Sequence, residues 1–273
     1  VNQGFQRFLK QWYRTPQGRL FWEQERPLLQ QALDKLFGYF LVQLGQTSTD
    51  SWLEGSRVSN KLLLDENFVF TERPSSSGQA QTASQSRVHC VQADLDYLPL
   101  AKESVDVMVL PHTLETVTDP HYLLRQVDAL LVPEGHLVIS GFNPLACGVL
   151  KNRLKKHNRP LREAHLVSAA QLGEWLEVLG YEVEQVRFST ISCYEGTTSS
   201  DSLLGWRLLE KVENLLNRLG WQFGNVYCVV ARKRVDAPRL VGLAKRRFAW
   251  PVRRPVQVAA RGSSRTLKQG MKR

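Results

Sequence analysis

Val105-Asp-Val-Met-Val-Leu110 is apolar except for Asp106; it is followed by a helix start at Asp119-Pro120 and a second apolar run at His136-Leu-Val-Ile-Ser140. A short run of this kind, rich in valine, reads as a strand buried on both faces. Asp119 is placed to cap a helix, and Pro120 suits its first turn, where a missing N–H costs nothing. Leu123, Leu124, Val127, Leu130 and Leu131 then share one helical face, and Pro133-Glu134-Gly135 turns the chain into the next strand. The unit is strand, helix, strand, and it predicts a parallel pair.

The same alternation continues in both directions. Upstream, Phe40 to Gly45, Lys61 to Asp65 and Val88 to Ala93 read as strands. Pro74 to Ser86 holds only Pro, Ser, Gly, Gln, Ala and Thr, and is expected to be a flexible loop. Before the first strand, Thr15 and Pro16 open a helix with Leu29, Leu33, Leu36 and Phe37 on one face. Pro27 is expected to kink or restart it, and Gly38 to end it. Downstream, Ser168 and Gln171 make a capping box for a helix that buries Leu172, Trp175, Leu176 and Leu179 and stops at Gly180. Tyr181 to Ser189 is a strand, Ser202 to Leu219 a helix, and Asn225 to Ala231 the last strand. Strands alternating with helices predict an α/β fold, a mainly parallel sheet with helices on both faces. Ligands of such sheets bind at the carboxyl ends of the strands, so residues just after strands carry the functional expectation.

The chain has 273 residues and 42% apolar content, which suits one domain plus appendages. Its apolar runs fall far short of the ~20 residues that span a bilayer. No charged-then-apolar leader opens it, so the expected compartment is the cytoplasm. Cys90, Cys147, Cys193 and Cys228 form no CxxC pair, which points to reduced thiols and no metal site. From Arg232 to Arg273 there are 14 Lys or Arg and one acid, Asp236, a net of +13 against +10 for the whole chain. The excess belongs to the C-terminal stretch. We expect a domain over 1–235, its helical segment 1–38 included, and a disordered basic tail over 236–273. The tail suits nucleic acid or an anionic surface, or serves only to solubilise.

Candidate site residues follow from the strand ends. Gly45 ends the first strand within Gln43-Leu-Gly-Gln-Thr-Ser-Thr49. Asp65, 20 residues on, and its neighbour Glu66 are alternative acceptors for ribose hydroxyls, or are solvated acids. Asp94 either accepts from an adenine amine, flanked by Leu95 and Leu98, or forms a turn, for which Asp96 is the better placed. His112, after the central strand, is either a base or a structural histidine, since no metal partner lies at usable spacing. Asn143 offers an amide to a substrate or forms a turn. The GxSxG, HExxH and GxxxxGK[ST] motifs are absent, which counts against serine hydrolases, zinc proteases and P-loop enzymes.

Three stretches together resemble the class I S-adenosylmethionine-dependent methyltransferase superfamily, of the type 11 kind. They are Gln92-Ala-Asp-Leu-Asp-Tyr-Leu-Pro-Leu-Ala-Lys-Glu-Ser-Val-Asp106, Leu110-Pro-His-Thr-Leu-Glu115 with Asp119-Pro-His121, and Leu131-Val-Pro-Glu-Gly-His-Leu-Val-Ile139. Phe21-Trp-Glu-Gln-Glu25, Gly141-Phe-Asn-Pro144 and Tyr227 to Arg234 are similar to uncharacterised proteobacterial methyltransferase-like proteins. The resemblance covers about residues 10–235. It implies a seven-stranded Rossmann-like sheet of order 3-2-1-4-5-7-6, with the seventh strand antiparallel. It also implies S-adenosyl-L-methionine as cofactor and an acceptor the sequence does not name. Asp94 and Leu95 would meet the adenine, Asp65 or Glu66 the ribose, and Gly45 the methionine part, with His112 on the methyl-transfer side. The family's first motif runs acid-x-Gly-x-Gly-x-Gly, and Gln43, Gly45, Thr47 and Thr49 stand at those positions. Side chains at 47 and 49 crowd the cofactor and disfavour positive φ, so the alternative is a catalytically inactive methyltransferase-like protein that binds a partner protein or RNA.

Overall fold

The structure, a computed structural model, describes residues 3–47, 53, 56–67, 88–154, 159–189 and 224–234. The expected loop over 74–86, helix over 202–219, tail over 236–273 and residue Thr49 lie outside them. Seven strands form one sheet: β1 (Phe40–Leu44), β2 (Asn60–Asp65), β3 (Val88–Gln92), β4 (Val105–Pro111), β5 (Leu131–Phe142), β6 (Tyr181–Phe188) and β7 (Val226–Lys233). Their order is β3-β2-β1-β4-β5-β7-β6. β1 to β5 pair in parallel, and β7 runs antiparallel to both β5 and β6. This is the sheet that the resemblance implies.

Alternation along the strands divides the core. Met108 and Leu110 of β4 join Val42, Leu44, Leu64 and Ile139 on one face. There they meet Leu123, Leu124 and Val127 of α4 (Pro120–Leu130) and Leu172 and Leu176 of α7 (Ala169–Val178). Val107 and Val109 point the other way, with Leu41, Val138 and Val230, onto Leu29, Ala32 and Leu33 of α2 (Pro16–Leu33). Asp106, the polar exception in β4, accepts the N–H groups of both Tyr39 and Phe40 at 2.9 Å and so anchors the start of β1.

Two caps act as the sequence predicts. Asp119 accepts from Tyr122 N–H and Ser168 from Gln171 N–H, and Gly180 leaves α7 with φ +86°. Other expectations need correction. α2 ends at Leu33 rather than at Gly38, so Phe37 falls off the helical stripe and is 66% exposed, while Leu36 stays buried. The helix does not restart at Pro27, which lies inside it. One lost hydrogen bond there is offset by the burial of Leu29, Ala32 and Leu33. β5 starts at Leu131, five residues early, but its pairing with β4 jumps from Val105↔Leu131 to Val107↔His136, so the expected turn at 133–135 survives as an irregularity. α1 (Gln3–Trp12) lies within the expected helical segment 1–38, as a helix separate from α2, and three further helices were not foreseen: α3 (Thr113–Thr116), α5 (Cys147–Leu154) and α6 (Arg159–Glu163).

Candidate functional site

The carboxyl ends of β1, β2 and β3 lie side by side, and Gly45, Asp65, Glu66 and Asp94, all singled out above, are there. Gly45 has φ +82°, a conformation that L side chains rarely adopt, and donates its N–H to Leu64 O at 2.8 Å. A Cβ here would meet Thr113 Oγ1 at 3.3 Å. Gln43, at the position of the family's acid, is buried and donates Nε2 to Gly45 O at 2.9 Å. Its Oε1 is buried without a hydrogen-bond partner. Thr47 is buried, 4% exposed.

Asp65 and Glu66 end up in different environments. Asp65 is completely buried. Its Oδ1 accepts from Gln6 Nε2 at 2.7 Å and Asn67 N–H at 3.1 Å, and its Oδ2 from Lys10 Nζ at 2.7 Å and Gln46 N–H at 2.8 Å. Glu66 is half-buried. Burial pushes its carboxyl up, and Asp94, to which it is hydrogen-bonded, pushes it further. Asp94 is exposed, and one of its oxygens accepts Asp96 N–H at 2.8 Å. Asp94 therefore closes the turn that the sequence reading assigned to Asp96, and its side chain is exposed. Leu95 beneath it is fully buried in the core.

His112 belongs to a second group, sealed from solvent. It has φ +54° and zero exposure. Nδ1 lies 2.9 Å from Glu115 Oε2, and Nε2 lies 2.8 Å from Tyr13 Oη and 3.2 Å from Glu25 Oε1. Tyr13 Oη donates to Glu25 Oε2 at 2.8 Å, Ser140 Oγ donates to Glu25 Oε1, and Phe142 N–H donates to Glu115 Oε1 at 2.6 Å. Donor counting favours the charged ring. The single phenolic proton goes to Glu25, so Nε2 meets Tyr13 with a proton of its own, and an Nδ1–H facing a Glu115 carboxylate completes an imidazolium. Burial by itself depresses the ring, but Glu25 and then Glu115 override it and push it up to about 10. Burial likewise acts to raise Glu25, and there His112 prevails and holds the carboxyl below its ordinary value. Glu115 goes the other way: burial outweighs His112 and raises it. Tyr13, also buried and beside Glu25, stays protonated.

The ring of His112 packs against Phe142, 4.1 Å between centroids, and Phe142 is in turn met edge-on by Trp12 and Phe21. No acceptor can touch it in this arrangement. It ties α2, β4, α3 and β5 together at the sheet edge. Asn143 is also buried, its Oδ1 closing a turn to Leu145 N–H at 3.2 Å.

The sequence reading missed Gln6, Lys10, Tyr13 and Glu25. Glu25 carried a signal. It stands at i+4 from Phe21 and i−4 from Leu29, inside the apolar stripe of α2, where a carboxylate requires a buried partner. Among the described residues no group of His, Cys, Asp and Glu has the arrangement of a metal site, and no helix is long and apolar enough to cross a membrane.

Comparison with known proteins agrees with the strand order. Residues 57–139 match the profile of a methyltransferase domain family. A putative methyltransferase solved in complex with the Haloferax volcanii Trm112 methyltransferase activator superposes with a TM-score of 0.55 at 13% identity, covering 85% of this chain and 98% of that one. The chain has the class I methyltransferase fold. A Thermotoga maritima methyltransferase, described as a possible histamine N-methyltransferase, has this methyltransferase fold as well, with a TM-score of 0.52, 17% identity and coverage of 82% and 93%. The uncharacterised protein YafS of Escherichia coli is 33% identical over 174 residues, 63% of this chain and 65% of YafS. The chain thus spans less than two thirds of that relative.

Proposed function

We propose that this methyltransferase-fold chain binds S-adenosylmethionine across the ends of β1, β2 and β3 and transfers its methyl group to an acceptor. The observation that carries the reading is the left-handed Gly45 turn on β1 standing beside the Glu66–Asp94 carboxyl pair of β2 and β3. The groups present fit such a cofactor. Gly45 admits close backbone approach, the orphaned Gln43 Oε1 can accept from the methionine ammonium, and Asp94 can accept from the adenine amine. Bound S-adenosylmethionine supplies an electrophilic methyl on a sulfonium. The chain's part is to hold donor and acceptor in line, which requires no dedicated base.

A second reading, a methyltransferase fold that binds a partner without transfer, draws support from Thr47 and from the saturated state of Asp65. Calorimetry with S-adenosylhomocysteine separates the two. The parent should bind, and Asp94→Ala should lose one charge-assisted hydrogen bond worth about 1.5–3 kcal/mol, roughly 10- to 150-fold in Kd. No heat and no thermal shift at millimolar ligand, in parent and variant alike, would favour the second reading.

A further inference from the structure

We propose that α1 is a strap over the ribose end of the cofactor cleft, and that Gln6 and Lys10 must leave Asp65 before a nucleoside ligand can seat. The inference rests on the cofactor reading above and adds a control element to it. A carboxylate has about four acceptor positions. Asp65 fills them with four donors, two on each oxygen. The Gln46 and Asn67 donors are backbone N–H groups of the sheet edge itself. The other two are side chains of α1, one on Oδ1 and one on Oδ2. Gln6 Nε2–H and Lys10 Nζ–H therefore stand where the two O–H donors of a vicinal diol would reach the same carboxylate.

The carboxylate has no capacity left for a ribose while they remain. Gln6 is 4% exposed and the Lys10 side chain 10%, so water does not share the site freely. Lys10 is held further by the carbonyl of Asn67. Gln6 and Lys10 lie one turn apart on one face of α1, while Phe5, Leu9 and Trp12 anchor the helix in an apolar cluster with Phe142 and Val226. Closure by the chain's own donors reduces the apparent affinity of a diol ligand by the fraction of molecules that are open. Weak binding would then come from this contact as well as from the threonine at 47.

The test uses the full chain and S-adenosylhomocysteine. Lys10→Met and Gln6→Met each remove a competing donor and keep a side chain of similar length, and Gln11→Ala, at an exposed position of α1, serves as control. The first two should bind roughly tenfold or more tightly than the parent, and the control should match it. Hydrogen exchange on the unmodified chain gives a second readout that survives misfolding of a variant: amides from Gln6 to Trp12 should exchange faster with ligand bound. If the parent binds and the two variants bind equally or more weakly, or if ligand slows exchange in α1, the strap is wrong and the cofactor reading stands. If no chain binds, both fall.

Discussion

His112→Leu should lower the free energy of unfolding by about 3–5 kcal/mol, the range for breaking a buried ion pair from one side. Urea titration with an unchanged slope would measure it. The size follows from what stays behind. Glu25 and Glu115 are buried at 0% and 3% exposure, and the imidazolium is the cation between them. Removing it leaves two carboxylates without their counter-ion in a site walled by Tyr13 and Phe142. The loss should also depend on pH. The ring titrates at about 10 in the folded chain and near 6.5 when unfolded. Its contribution is therefore fully present below pH 6.5 and is lost as pH rises through 10. The gap in stability between parent and variant should be widest near pH 6 and narrow steadily above it. A gap that is flat with pH, or below ~1 kcal/mol, would mean that the histidine is neutral and the donor count above is wrong.

Much of the fold was legible because the sheet is built from patterns a sequence carries openly. β4 is apolar throughout except at Asp106, and α4 and α7 have their caps, Asp119 and Ser168, written ahead of an apolar stripe. The strand ends followed, and with them Gly45, Asp65, Asp94 and His112 as positions. Their partners did not. Asp65 is met by Gln6 and Lys10, 59 and 55 residues away in sequence, and His112 by Tyr13 and Glu25. Such contacts depend on how the N-terminal helices dock on the sheet edge, and a single sequence has no local mark for docking. α1 shows why the helical segment 1–38 was not divided into its two helices. It precedes Thr15, which caps α2, and a cap locates one helix start without revealing that another helix lies before it. The different surroundings of Asp65 and Glu66 were likewise invisible in sequence, since adjacent residues of a strand end differ in what faces them and not in type.

Gly18→Ala should undock α1, and this second large effect bears on both the fold and the cleft. A Cβ at Gly18 would lie 2.0 Å from Trp12 O and 2.6 Å from Tyr13 Cα. These are backbone atoms, so no rotamer change relieves the clash, and α1 has to move away from the first turn of α2. Thr15 holds the junction together. Its Oγ1 donates to Trp12 O at 2.7 Å and accepts Gly18 N–H at 3.1 Å, so the movement would break the cap as well. Overpacking of this kind costs about 1–3 kcal/mol, and loss of the cap about 1 kcal/mol more. Gly173→Ala is the matching control. Gly173 lies inside α7 with nothing within 4 Å of its added Cβ, so alanine there should raise stability by about 0.5–1 kcal/mol. Thermal melts would give the two shifts with opposite signs, and limited trypsin digestion should cut the Gly18→Ala chain early at Lys10 or Arg14 while sparing the control. If α1 is the strap over Asp65, the undocked variant should also bind S-adenosylhomocysteine more tightly than the parent in spite of being less stable. Tighter binding by a destabilised chain is hard to obtain from damage alone, which makes this pairing a sharp check on α1. A Gly18→Ala chain with the parent's melting temperature and digestion pattern would show that the helix junction gives way without cost, and that α1 is not held as described.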